Sequence, residues 1–241
     1  MARMLKPSRL SSLISSTSFP LNTCQPSSVT RFGWFITSGG GAFFNRHYEH
    51  FCTGADTRKG YPAGTRPARP KSLNSLIEHH HYLGYEQPVG EHLKYLVFAQ
   101  DRPIACLAWS SAPRRLASRD RYIGWNAEAR RRNIRFLAYN TRFLILPWVE
   151  VPHLASHILG RVAQQLSPDW ERMYGHPVYF AETFIDPGRF RGTCYQAANW
   201  KLLGLTTGRG KDSTSMRPNR SLKEVLGYPL TPHFRDLLNR L

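Results

Sequence analysis

Residues 178–211, VYFAETFIDPGRFRGTCYQAANWKLLGLTTGRGK, read as strand, turn, helix and strand. The apolar run Val178 to Ile185 has strand length, opens after Pro177 and closes at Asp186-Pro187-Gly188, a turn signal. Val178, Phe180 and Phe184 share one face; Tyr179, Ala181 and Ile185 share the other. A strand apolar on both faces belongs inside a sheet with helices packed over it. A helix is expected from Thr193, whose hydroxyl can cap it. It would run to Gly204, with Cys194, Ala197, Ala198 and Leu202 as a stripe of mostly small residues against the sheet.

Outward from that stretch, the 241 residues suit one medium domain with appendages. The net charge of +17 is spread along the chain and favours anionic partners, nucleic acid first. Cys24, Cys52, Cys106 and Cys194 are far apart and form no CxxC, so no zinc ribbon or disulfide framework is expected, and a reducing cytoplasm is the default compartment. No apolar run approaches the roughly 18–20 residues that span a bilayer. No membrane partner is expected.

Residues 1–70 mix Ser, Thr, Gly and Pro and carry nine Lys/Arg against two acids. No helical or strand period persists, and such composition cannot offset the entropy of ordering. This segment is expected to be a disordered basic leader, or a segment outside the genuine protein, with a basic arm that orders on nucleic acid as the alternative. Residues 71–241 are expected to be the folded domain. Ser72 to Tyr82 reads as a short helix. Its histidines His79, His80 and His81 point about 100° apart on a helix and cannot share one metal ion. No metal site is expected; His81 can instead line a cleft with Tyr82, Leu83 and Gly84.

Leu93 to Ala99 and Ile104 to Ser110 form a hairpin around Asp101, Arg102 and Pro103. Arg114, Arg115, Arg119, Arg121, Arg130, Arg131, Arg132 and Arg135 follow, with Tyr122, Trp125 and Phe136 among them and only Asp120 and Glu128 against them. Ala127 to Tyr139 is read as a helix capped by Asn126. The arginines can grip phosphates through forked donors while aromatics stack on bases, or they form a solvated face. Arg142 to Val149 is a strand, with a bulge or an early end to pairing expected at Pro147, which cannot donate to a ladder. Pro152 to Leu166 is a helix stopped by Ser167-Pro168. The chain closes with a short amphipathic helix.

Four residues are candidates for chemistry. Glu182 lies inside the apolar strand, where a carboxylate is either paired with an arginine or acts as a general acid or base with a raised pKa. Cys194 is either an activated thiolate near Arg189 and Arg191 or a small packing residue. Asp186 and Tyr195 sit at the strand-to-helix turn, where ligands collect, and Tyr195 with Asn199 can line a site. Gly208-Arg209-Gly210-Lys211 is not a nucleotide-binding phosphate loop: position 205 is Leu and Asp212 follows the lysine.

The element order from Leu93 onward, with Pro147 near a bulge and a helix reading AANWKLLGL, resembles the GCN5-related N-acetyltransferases. That resemblance implies an α/β (α+β) domain, a mixed central sheet with helices on both faces, and two strands splayed around an acyl-CoA. The family's pyrophosphate loop is Gly-rich; here Val149 to Ala155 holds no glycine, and Trp200 stands in place of the family's acid tyrosine. HHHYLGY, PVGEHLKYLVF, DRYIGW, NTRFLILPWV, LAS, ETFIDPGRFRGTCYQAANWKLLGLTTGRG and GYPL are similar to the A proteins of the Druantia anti-phage systems, over residues 75–241. This implies a bacterial defence or mobile-element role. With the arginine cluster, a defence component that associates with nucleic acid is expected, with other defence subunits as candidate partners and no cofactor unless acyl-CoA. An acyl-CoA-dependent acyltransferase and a transposon-associated accessory protein are the alternatives.

Overall fold

A computed structural model describes residues 29–38, 41–52, 73–99, 102–208 and 220–241. Fourteen elements follow in order: β1 (Val29–Ser38), β2 (Gly41–Cys52), α1 (Leu73–His80), β3 (His92–Ala99), β4 (Arg102–Ser111), α2 (Ala117–Ile123), α3 (Ala127–Asn133), β5 (Leu137–Ile145), α4 (Leu154–Tyr174), β6 (Phe180–Ile185), α5 (Thr193–Ala197), β7 (Lys201–Leu205), β8 (Glu224–Pro229) and α6 (Phe234–Asn239). One 3-10 turn, Ile134–Phe136, joins α3 to β5.

The strands make one mixed sheet in the order β2-β1-β3-β4-β5-β6-β8-β7. Strand β6 is interior, as its two apolar faces require, with β5 parallel on one side and β8 antiparallel on the other. Helices cover both faces. On one, α1 packs on Leu96, Cys106 and Ala108, and α2, α3 and α6 gather around Leu137 and Phe180. On the other, α4 sets Leu154, Ile158, Leu159, Val162, Leu166 and Trp170 against Leu93, Tyr95, Leu107 and Trp109. Each such side chain contributes about 1.5–3 kcal/mol by leaving water.

Several boundaries differ from the sequence reading, each for a physical reason. Helix α4 runs through Pro168 to Tyr174 instead of stopping at Ser167. The proline forfeits one backbone bond, but the extra turn buries Trp170, whose indole donates to Glu91 at 3.1 Å, and Asp169, which accepts from Tyr95 at 3.2 Å. Helix α5 ends at Ala197 instead of Gly204. Asn199 takes a left-handed conformation, with φ of 64°, and this turns Trp200 into the core and releases the chain into β7. Leu202 is consequently exposed. The cap before α5 is Gly192, also left-handed, and not Thr193. The helix read to Tyr139 stops at Asn133, although Asn126 caps it as expected, accepting from the amides of Glu128 and Ala129. Strand β5 therefore begins at Leu137 and ends at Ile145, before Pro147.

Two strands, β1 and β2, extend the sheet beyond β3, where the sequence shows no strand period. The rest of the expected leader, and most of the Gly208–Lys211 loop, lie outside the described residues. Strand β8, unanticipated, slots between β6 and β7. Its Gly227 pairs with Glu182, and the Phe180 ring crosses directly over it: a Cβ there would lie 2.4 Å from Phe180 Cζ and 2.8 Å from Leu203 Cδ1. Phe180 cannot yield, since it stacks on Phe234 with centroids 5.3 Å apart. Gly227→Ala is expected to cost roughly 3 kcal/mol, the upper end for overpacking. A thermal melt checks this, and an unchanged midpoint would contradict the packing.

Candidate functional site

The pair β5–β6 is the sole parallel pairing among the described strands, and it is short. Leu137 to Asn140 pair with Phe180 to Thr183, after which the strands part. The cause is a bulge in β5 at Thr141, between the Trp109–Asn140 and Ala108–Arg142 pairs. The bulge thus lies six residues before Pro147, where the other expected outcome holds: strand pairing has ended at Ile145. Asn140 and Thr141 stabilise the irregularity: both side chains donate to the Ala108 carbonyl at 3.1 Å. Thr183 closes the last rung by donating to the Asn140 carbonyl, and the Tyr195 hydroxyl donates to Asn140 Oδ1 at 2.6 Å. An extra residue bends its strand away from the neighbour, so the C-terminal ends of β5 and β6 form an opening where ligands bind in parallel sheets.

Glu182 faces the side covered by α2 and is fully buried against Arg119. Arg119 Nη1 lies 3.1 and 3.3 Å from its two oxygens and also donates to the Pro113 carbonyl. Arg119 Nε and Nη2 donate to Asp120 Oδ1, which takes the Trp125 indole as well. Arg130 then reaches Asp120 Oδ2 at 3.2 Å. Burial pushes the Glu182 carboxyl up to about 7, with Arg119 pulling it back down. Of the two readings of Glu182, pairing with an arginine describes the geometry.

The other candidates separate. Tyr195 is buried, and burial raises its hydroxyl; Asn199 is exposed and does not join it. Burial also raises the Cys194 thiol, the opposite of an activated thiolate. Asp186 ends β6 half-buried, with Oδ1 accepting from the Gly188 amide and Oδ2 from Ser221. Of the eight arginines, Arg119 is a correction: with no exposed surface it cannot reach a nucleic acid. Arg130 is partly covered, whereas Arg114, Arg115, Arg121, Arg131, Arg132 and Arg135 are exposed. Among the described residues no group of three or more His, Cys, Asp or Glu gathers to hold a metal, and no helix is long and apolar enough to cross a membrane.

Two residues missed in the sequence, Arg142 and Phe190, stand at the opening beside His81 and Tyr82. Arg142, one position past the bulge, donates from Nε to the Gly84 carbonyl at 2.9 Å, which draws the segment after α1 across the mouth. His81 stacks on Tyr82 with centroids 4.9 Å apart, Phe190 meets the same ring at 5.1 Å, and the Arg189 guanidinium lies 5.3 Å from its centre. The one available signal was a charged residue opening an apolar strand, RFLILPWV.

His81 is held neutral: burial and then Arg142 lower its pKa to about 4. Its Nδ1 accepts from the Leu83 amide. The unfolded chain takes up a proton near pH 6.5 and the native state does not. Stability is therefore lost as pH falls from about 6.5 toward about 4. His81→Asn, which can still accept from Leu83, is expected to lose less stability between pH 7 and pH 5 in urea titrations; parallel loss would contradict this.

The fold and site define a mixed α/β protein with a splayed parallel strand pair, a buried Glu–Arg anchor and an arginine-rich helical surface. Residues 67–238 match the family model described as Druantia protein DruA, and the chain belongs to that family. No curated protein matches it. Solved structures similar to it include an acetyltransferase of the GNAT family from Streptococcus pneumoniae (10% identity, TM-score 0.36), covering 58% of this chain and 67% of that one. An N-acetyltransferase from Staphylococcus aureus matches at 12% identity and TM-score 0.36, covering 58% and 68%. An aminoglycoside acetyltransferase in complex with coenzyme A matches at 13% and 0.38, covering 57% and 66%. The chain thus spans about two thirds of these proteins' length.

Proposed function

We propose that this chain is a component of a bacterial anti-phage system that associates with nucleic acid through the surface of α2, α3 and the turn leading to β5. Membership of the DruA family supports the defence role; work in the cytoplasm beside other subunits of such a system belongs to the same proposal. One observation carries the nucleic-acid reading. The acid that would neutralise the arginine surface, Asp120, is turned inward to Arg119, Arg130 and Trp125. Of the exposed arginines, Arg132 pairs with Glu128 at 2.9 Å, and the surface is left strongly positive. Arg235 of α6 adds to it, lying over the Tyr122 ring. Such surfaces bind phosphates by releasing counterions. Titration of labelled DNA and RNA with the full chain tests the reading: binding that weakens steeply with salt is expected, and no binding at low salt would overturn it.

The divergence of β5 and β6 favours a second reading, an acyl-CoA-dependent acyltransferase. Weighing against it, the loop from Leu146 to Leu154 has prolines at 147 and 152, and its Val149 amide is spent on the Leu146 carbonyl, which leaves fewer donors for a pyrophosphate. Stabilisation by acyl-CoA in a thermal-shift titration would favour this second reading.

A further inference from the structure

The mouth between β5 and β6 is separate in sequence from the helical arginine surface, and its chemistry is more specific. Phe190 and Tyr82 are about half exposed, at 49% and 44%, with Leu83 beside them at 47%. Tyr82 already meets His81 and Arg189, whereas Phe190 meets only Tyr82 among the described rings and offers the freer face. Arg142 spends Nε on Gly84 and Nη1 on Thr141, and Nη2 has no hydrogen-bond partner among the described residues. Arg189 is exposed, and among the described residues its guanidinium meets only the Tyr82 ring. The nearby carboxylate, Asp186, is engaged by Gly188 and Ser221.

An apolar patch alone would suit a protein partner. Two guanidinium groups beside an open aromatic ring suit an anion attached to a flat ring. Within a duplex the faces of the bases are covered by stacking, whereas in a single strand they are free, and aromatic side chains with flanking cations are the usual means of holding them. Resting on the nucleic-acid reading above, we infer that this mouth binds a single-stranded nucleic acid, with Phe190 stacked on a base and Arg142 and Arg189 on the adjoining phosphate.

The test uses the full chain and fluorescence anisotropy with one labelled 20-nucleotide strand, free and annealed to its complement. Phe190→Ala is expected to weaken single-strand binding by roughly 5- to 100-fold, as loss of one stacked base does, and to leave duplex binding within about 2-fold. Phe190→Trp restores it, and Arg189→Ala weakens the single strand again. Both side chains lie at the surface, so the variants stay folded, with melting temperatures lowered only slightly by the lost contacts with Tyr82. If Phe190→Ala and Arg189→Ala bind the single strand as wild type does, the inference is overturned. A wild-type chain that binds only duplex also overturns it while the wider reading stands; binding to neither form removes both.

Discussion

Arg119→Met is expected to destabilise the domain by about 3–5 kcal/mol, the cost of leaving one member of a buried ion pair without the other. Arg119 and Glu182 are both fully buried and 3.1 Å apart, so no water can replace the guanidinium. The same change strips Asp120 of two donors and leaves the Pro113 carbonyl without one. The pair is costly to break without being indispensable: Arg119→Met combined with Glu182→Leu is expected to recover most of the loss, because an apolar pair of similar volume avoids the desolvation of both charges. Urea denaturation at about pH 8, above the Glu182 titration near 7, measures both with the carboxyl ionised; a single variant within about 1 kcal/mol of wild type would contradict the pairing. The pH dependence has a definite sign. Burial raises the Glu182 carboxyl from the ordinary 4.5 to about 7, so between those values the native state holds a proton that the unfolded state has released. This group's stabilisation is complete below about pH 4.5 and declines as pH rises toward 7. Glu182→Gln should remove that decline.

The second large effect falls on binding. Arg131→Glu, Arg132→Glu and Arg135→Glu together are expected to weaken nucleic-acid binding on the order of 100- to 1,000-fold near 0.1 M salt, since each lost phosphate contact removes close to one released counterion. These side chains are exposed, and the core behind them is Ala129, Ile123, Phe234 and Leu238, which the changes do not touch. The fold should survive, with a melting temperature slightly below wild type because the exposed Arg132–Glu128 pair is replaced by like charges. Reversing Arg119 instead would reduce binding only by unfolding the domain, so the two classes of arginine separate by experiment as they do by burial.

That separation marks the limit of what the sequence showed. The interior place of β6 followed from apolar residues on both of its faces, and the Asn126 cap from a short polar side chain before a helical run. Arg119 looked like its seven neighbours, because the acid that buries it lies 63 residues away and no local pattern reports such a pairing. Helix α2 was hidden in the same way: Ser118, Arg119 and Ile123 face inward, and two of those three are polar. Strand β8 was missed because Gly227 and Pro229 signal a turn, although Gly227 is there to admit the Phe180 ring. Pro147 drew the bulge away from Thr141, where the side chains of Asn140 and Thr141 hold it. Helix α5 was drawn too long because a helical period continues through Trp200, and the left-handed Asn199 that breaks it is not a strong sequence signal. The opening of the sheet draws on three segments far apart in the chain, ending in Tyr82, Arg142 and Arg189, and their meeting depends on the tertiary fold.

The salt dependence of binding tests the central claim most directly. Plotting the logarithm of the association constant against that of salt concentration for wild type and for the Arg131, Arg132 and Arg135 charge-reversal chain should give two straight lines. The account predicts a steep wild-type slope, made shallower by about 2–3 in the variant. Equal slopes and equal affinities would place the phosphate contacts elsewhere and contradict it.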